Sequence, residues 1–177
     1  PKTQQDLGLS IRQSNLCSEI TLATNEERTA VCCLSSVSLE HFDKWSEDPQ
    51  FIEDLITMLD NVIEHYIENA VDTSQLGGYS ANFKRFTKYI KEGKEGYAKS
   101  AYSAYRERSV GLGAMGFHAY LQSQNIAFES IYATGFNHRA FKHIKSKAVQ
   151  ATERLADMHG ECPDLHNTNR RNAHLLA

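Results

Sequence analysis

No apolar run in this sequence approaches the ~20 residues needed to span a bilayer. The opening Pro1-Lys2-Thr3-Gln4-Gln5-Asp6 has none of the features of a signal peptide. Neither sign of charge dominates, since Lys+Arg 19 against Asp+Glu 22 leave a formal net charge of -3. That balance excludes a strongly basic nucleic-acid binder and an acidic disordered tail. Cysteine is scarce for a disulfide scaffold, with 4 in 177 residues. Beside 8 histidines, so few thiols point to a reducing compartment, here the cytoplasm, and to redox, catalytic or metal roles. An initiator Met is missing and the chain stops on apolar Leu175-Leu176-Ala177, so both ends read as cut from something larger. Internal repeats and low-complexity stretches are missing too. What remains is a chain with 41% hydrophobic residues and a length that suits one domain, or a piece of one.

Residues 1–28 read as loop. The run Thr29-Ala30-Val31-Cys32-Cys33-Leu34 is apolar and partly β-branched, and is the best strand candidate, with both faces open to burial. Asp48-Pro49 signals a helix start, a capping carboxylate followed by proline at the first helical position. Ile52, Leu55, Ile56, Leu59, Ile63, Tyr66 and Ile67 then recur at helical spacing. Glu53, Asp60, Glu64 and Glu68 fall on other faces and read as solvated. Residues 74–102 change character: Gly77-Gly78 breaks the chain, and Ser80 is placed to cap a short helix carrying Phe83, Phe86 and Ile90 and ending at Gly93. Lys84, Arg85, Lys88, Lys91, Lys94 and Lys99 make this segment basic. Interleaved with Phe and Tyr they could grip nucleic acid; a solvated amphipathic insert is the plainer reading, and no nucleic-acid partner is expected. A helix is expected over residues 109–122 and a long one over 132–158. In the long one, Phe141, Ile144, Ala148, Ala151, Leu155 and Met158 form a narrow core-packing seam, and Gly160 and Pro163 stop it.

Four stretches carry candidate chemistry. Gly111-Leu112-Gly113-Ala114-Met115-Gly116 matches the G-x-G-x-x-G dinucleotide pattern, with Glu129 beyond it. The fingerprint needs a buried strand just upstream, and Tyr105-Arg106-Glu107-Arg108-Ser109 cannot supply one, so the glycines are better explained by close helix packing. His159, Cys162 and His166, with His174 further on, offer ligand types suited to zinc but only one arm of a site; no metal is expected. Cys32 and Cys33 would point to opposite strand faces, so the two thiols cannot serve one site. They are two buried small residues, or one of them faces a site and does redox work. In an extended Asn15-Leu16-Cys17-Ser18-Glu19, residues 15, 17 and 19 share a side. An amide to orient a hydroxyl, a thiol to act as nucleophile or radical carrier, and a carboxylate to act as base would then sit together.

The runs Ser14-Asn15-Leu16-Cys17-Ser18-Glu19-Ile20 and Ala30-Val31-Cys32-Cys33-Leu34-Ser35-Ser36-Val37-Ser38-Leu39 resemble the catalytic core of the ribonucleotide reductase large subunit. Arg106-Glu107-Arg108-Ser109-Val110-Gly111-Leu112-Gly113-Ala114-Met115-Gly116-Phe117-His118, Phe141-Lys142-His143-Ile144 and Asn172-Ala173-His174-Leu175-Leu176-Ala177 follow in the family's order. The similarity covers residues 9–73 and 103–177, while 74–102 departs from it as a polar, basic insert. The resemblance implies an α/β fold: a partial reductase-type α/β barrel, helix-rich in this segment and carrying the catalytic finger loop, with residues 1–177 as an incomplete central part of the barrel domain. It implies that Cys17 is the thiyl-radical cysteine, that Glu19 is the carboxylate accepting the 3′-hydroxyl proton, and that Asn15 bonds substrate hydroxyls. Residues 15–19, with Leu16 and Ser18, would then contact substrate. Cys32 takes the place of one redox-active thiol and Cys33 the neighbouring, non-redox place.

The activity implied is reduction of ribonucleotides, as diphosphates, to 2′-deoxyribonucleotides by thiyl-radical chemistry of the class I type, with this chain inactive alone. No cofactor is expected to be bound by the chain itself. The radical would come from a metal-radical small subunit, with adenosylcobalamin as the second choice, and ATP/dATP-type effectors would bind elsewhere in the full subunit. Partners implied are the remaining segments of the large subunit, the small subunit, thioredoxin or glutaredoxin, and the ribonucleotide; no membrane is expected. Two other classes compete on the residues alone. One is a non-catalytic helical interaction fragment; the other is a metal- or nucleotide-binding module built on His159, Cys162 and His166 or on the glycine run.

Overall fold

The computed structural model describes residues 8–16 and 18–173. Residues 8–16 and 18–28 form no helix or strand, as their reading as loop predicts. Strand β1 spans Cys33–Ser38 and β2 spans Val110–Met115. They pair in parallel, with Cys33 opposite Val110 and Ser38 opposite Met115. Side chains alternate across a strand, so residues 33, 35 and 37 share a face with 110, 112 and 114. Val37, Val110 and Leu112 of that face are buried in the core, and Cys33 and Ala114 pack against it. The other face carries Leu34, Ser36, Ser38, Gly111, Gly113 and Met115, and Leu34 and Met115 are more than half exposed there.

The first strand therefore starts four residues later than residues 29–34 suggest and is covered on one face, not two. Its ladder begins where the Cys33 N–H reaches the Ser109 carbonyl, at 3.2 Å. Upstream of Ser109 the neighbouring chain is helical, so residues 29–32 have no strand to pair with. The glycine run brings the second correction. The expected helix over 109–122 is β2, then Gly116, then a short helix, and its glycines lie in a strand and not on a helix face. Gly116 makes the turn with φ +76, and a Cβ there would meet the Glu40 N at 3.3 Å. A left-handed, crowded corner of this kind suits glycine alone.

The two strands are joined by α1 (Phe42–Trp45), α2 (Phe51–Ala70), α3 (Phe83–Thr87) and α4 (Ala98–Glu107). After β2 come α5 (Phe117–Ser123) and α6 (Ile131–His159). Helix α2 is central, packed against α6, α4 and β1, and it buries Ile52, Ile56, Leu59, Ile63 and Ile67 as its spacing predicts. Burying each such side chain stabilises the fold by about 1.5–3 kcal/mol. Its start differs from expectation: Pro49 lies outside the helix, and the Asp48 carboxylate accepts the Gln50 N–H at 2.9 Å, so it caps the turn before the helix. Asn82, not Ser80, caps α3 by accepting the Arg85 N–H at 2.9 Å. Helix α3 ends at Thr87, well before Gly93, and Ile90 instead bridges to Val71.

Within 74–102 the six basic side chains are exposed, whereas Phe86 is fully buried and packs edge-on against Tyr102 at 5.3 Å. The segment is amphipathic as read, and its apolar side is fused to the same core. Helix α6 starts at the Ser130 cap, whose Oγ accepts the Ala133 N–H at 3.2 Å. Of the expected seam, Ile144, Ala148, Ala151 and Leu155 are buried, whereas Phe141 and Met158 at its ends are exposed. No helix among the described residues is long and apolar enough to cross a membrane.

Candidate active site

The loop that carries the thiol motif is a closed turn, not the extended segment expected. The Asn15 N–H donates to the Ile20 carbonyl at 3.0 Å, and the Ser18 N–H donates to the Asn15 carbonyl at 3.1 Å. The Asn15 Oδ1 accepts the Ile20 N–H at 3.1 Å. Ser18 takes the left-handed φ of 67° that closes the turn. Two of the three expected side chains nonetheless meet, because the Asn15 amide donates to the Glu19 Oε1 at 2.6 Å. The third, Cys17, lies outside the described residues. The tip is fully presented, with Leu16 99% exposed and Ser18 and Glu19 exposed beside it. Buried Ile20, Leu22 and Ala23 moor its downstream arm.

Beneath the turn lies a cavity of about 310 Å³ whose walls include Asn15, Ile20, Leu22, Thr29 and Cys32. Cys33 is not among its lining residues and packs on the core instead, so the two thiols sit in different surroundings although Cys32 lies just before the strand. Burial pushes the Cys32 thiol up to about 12, helped by the negative charges that Cys33, Glu107 and Glu19 would place near a thiolate. Burial raises Cys33 as well. Both are therefore protonated at neutral pH, a state suited to donating hydrogen and poor for nucleophilic attack or metal binding.

Two charged networks join the end of α4 to α2 and to segments far away in the chain, and the sequence reading missed both. Asp60 sits within α2 at 2% exposure, on the core side and not the solvated face expected of it. Its carboxylate accepts from Arg108 Nε at 2.9 Å, from Arg171 Nε at 2.7 Å and from the Asn172 amide at 2.8 Å. Glu64, also read as solvated, is partly buried and pairs with the same two arginines. These partners hold the Asp60 carboxyl below its usual range despite burial. Arg108, with a left-handed φ of 45°, is the corner between α4 and β2. The second network joins Arg28 to Glu107 at 3.1 Å and to Asp164 at 2.7 Å, and Asp164 to Arg106 at 2.6 Å. Burial lifts the Glu107 carboxyl to about 7, against the pull of Arg28. The alternating charges Arg106-Glu107-Arg108 beside apolar Val110 were the available sign that buried charge sits here.

The rival motifs do not assemble. Cys162 is buried, His166 stacks on Tyr79 with ring centres 4.0 Å apart, and His159 is exposed at the end of α6; His174 lies outside the described residues. Among the described residues no three His, Cys, Asp or Glu side chains are grouped to hold a metal ion. Gly111 and Gly113 lie inside β2 and only Gly116 makes the turn into α5, so the run does not form the glycine-rich loop that a dinucleotide fingerprint places after its strand.

Residues 2–175 match the family model described as ribonucleotide reductase, barrel domain. The chain belongs to this family. It is 42% identical over 177 residues to the ribonucleoside-diphosphate reductase large subunit of Invertebrate iridescent virus 3, covering 100% of this chain and 24% of that protein. It is 46% identical over 171 residues to the putative large subunit of Frog virus 3, covering 96% of this chain and 26% of that one. Among solved structures, the class Id ribonucleotide reductase alpha subunit of Actinobacillus ureae superposes with a TM-score of 0.82 at 32% identity. That likeness covers 99% of this chain and 30% of the alpha subunit. The chain thus spans about a quarter of the length of the curated relatives it matches. Its fold is a helix-rich segment of the reductase barrel domain, as the resemblance implies, and the matched range runs through 74–102.

Proposed function

We propose that this chain is the part of a ribonucleoside-diphosphate reductase large subunit that presents the radical loop and one reducing thiol to the ribonucleotide. The observation that carries this reading is the Asn15–Glu19 pair, bonded at 2.6 Å on the turn that contains Cys17, above a cavity shared with the protonated thiol of Cys32. The Cys17 thiyl takes the 3′ hydrogen of the substrate, and Glu19 accepts the proton of the 3′-hydroxyl. Asn15 holds the hydroxyls and, through its amide, the Glu19 carboxylate. The 2′-hydroxyl leaves as water, taking one of the two hydrogens that the cysteine pair supplies, and the other goes to C2′. Cys32 and a second cysteine outside this chain together give two hydrogens, become a disulfide, and are restored by an external dithiol of the thioredoxin or glutaredoxin kind. Cys17 then regains its radical from the 3′ position. The radical enters from outside the chain, from a metal-radical small subunit or, as the second choice, adenosylcobalamin, because no side chain here can generate one.

The test is reconstitution with the remaining large-subunit segments and a radical-generating small subunit, followed by assay of deoxyribonucleotide formation. The chain alone should give no product, and the complemented mixture should. Glu19→Gln should then lower kcat by about 10²–10⁴-fold, the usual worth of a general base, with substrate affinity nearly unchanged. Wild-type rates in Glu19→Gln would remove Glu19 from the mechanism. Product from the chain alone would overturn the dependence on the rest of the subunit.

A further inference from the structure

Helix α6 buries one face through Ala133, Phe136, Ala140 and Ile144, and its opposite face begins with an exposed apolar patch. Phe128, just before the helix, is 60% exposed, Ile131 81% and Tyr132 74%. Large apolar side chains grouped on a surface mark contact sites. An edge-on contact with Phe117 at 6.0 Å holds the Phe128 ring, so the patch is ordered before anything docks on it. Gly135 stands one turn after Ile131 on the same side, exposed. A Cβ there would meet nothing within 4 Å. Glycine inside a helix is destabilising relative to alanine, and no contact among the described residues requires it here. Lys142 and Lys145 continue this side, both exposed, and among the described residues neither forms an ion pair. About three quarters of the length of the curated relatives lies outside the stretch matched here.

We propose that this face of α6 seats an amphipathic helix from the part of the large subunit that lies outside this chain. The apolar turn of that helix packs on Phe128, Ile131 and Tyr132, its backbone closes on Gly135, and its carboxylates meet Lys142 and Lys145. The inference rests on the reading of this chain as one segment of a large subunit. Aromatic and aliphatic anchors supply most of the affinity of such a contact, and the missing Cβ of Gly135 lets two helix backbones come close. The lysines steer an acidic partner and set its direction. From Ile131 to Lys145 the face runs ~21 Å at 1.5 Å per residue, so the partner helix needs about four turns. A second copy of this chain fits poorly, because the face paired with itself sets lysine against lysine or against the apolar turn.

The experiment titrates the chain with the remaining large-subunit segments and reads affinity by calorimetry. Ile131→Asp with Tyr132→Asp should weaken binding by at least about 30-fold, the worth of one interface anchor. Lys142→Glu with Lys145→Glu should weaken it by about three- to tenfold, and that loss should fade in ~0.5 M salt. Gly135 separates docking from folding. Gly135→Ala should raise the melting midpoint of the chain by about 2–4 °C, whereas Gly135→Leu should keep the midpoint and weaken binding about tenfold. Parent affinity in both Ile131→Asp with Tyr132→Asp and Gly135→Leu would overturn the proposal. So would a loss confined to binding of the small subunit or to self-association. If a variant does not fold, footprinting of the parent decides: Phe128 and Tyr132 should be shielded from hydroxyl radicals once the remaining segments are added, and unchanged labelling contradicts the proposal. Deoxyribonucleotide formation with affinities unmoved by the variants counts against this inference alone. Affinity lost as expected, in a parent mixture that makes no product, counts against the proposed function alone.

Discussion

The turn that carries Asn15 and Glu19 and the charged networks behind the strands are built in opposite ways. The turn is closed by bonds between residues at most five apart, with its side chains in solvent and three buried residues as mooring. The networks join residues from opposite ends of the chain: Asp60 reaches Arg108 across 48 positions and Arg171 across 111. In the networks, Asp60, Glu107 and Asp164 are almost fully withdrawn from water, and each carboxylate is paired with arginines. Long-range charge therefore ties α2, the corner between α4 and β2 and the last described residues together, while Asn15 and Glu19 stand on a local turn. Changes in the first region should be read in stability, and changes in the second in activity.

Asp60→Asn tests the first half of that contrast most severely. It leaves Arg108 and Arg171 buried with half their charge partner gone, so a loss of about 3–5 kcal/mol in urea unfolding is expected. A loss below ~1 kcal/mol would mean that the network decorates the fold and does not hold it.

The pH dependence of stability separates the two networks by sign. Glu107 is raised, from an ordinary 4.5 to about 7. Its contribution is therefore full below the ordinary carboxylate value and is lost as pH rises through about 7, to an extent of order 3 kcal/mol at most. Asp60 is lowered, so its contribution is present above the ordinary carboxylate range and is lost as pH falls below it. Glu107→Gln should flatten the unfolding free energy between pH ~4.5 and ~7, and Asp60→Asn should remove the acid limb. Unchanged curves in both variants would erase the distinction.

Smaller effects sharpen the contrast. Ser130→Ala removes the cap of α6, and a loss of about 1 kcal/mol is expected from the melting midpoint. Asn15→Ala breaks the bonds to Glu19 and Ile20 on the exposed turn. It should cost below ~1 kcal/mol of stability, while lowering turnover of the reconstituted enzyme far more than that figure implies. Equal losses in both measurements would make the turn structural after all.

What the sequence revealed follows the same division. The buried face of α2 and the course of α6 are periodic features, and periodicity is local. So is the Asn15–Glu19 encounter, which came out right although the turn that makes it was read as extended. Strand β2 was hidden because its alternation, Val110, Leu112 and Ala114 against Gly111, Gly113 and Met115, is written partly in glycine, a poor strand former. Asp60 was misplaced because its partners lie 48 and 111 positions away, beyond anything a helical wheel can register. Asp48 and Ser80 were plausible caps displaced by neighbours, Gln50 and Asn82, that occupy the N-cap positions in the folded chain.

The most direct test of the whole account compares Cys32→Ser with Cys33→Ser in the reconstituted reductase, following deoxyribonucleotide formation under a recycling dithiol. Cys32 lines the cavity and Cys33 packs on the core. The account predicts that Cys32→Ser abolishes sustained turnover, whereas Cys33→Ser turns over normally and loses only about 1 kcal/mol of stability. Turnover that survives in Cys32→Ser and disappears in Cys33→Ser would contradict it.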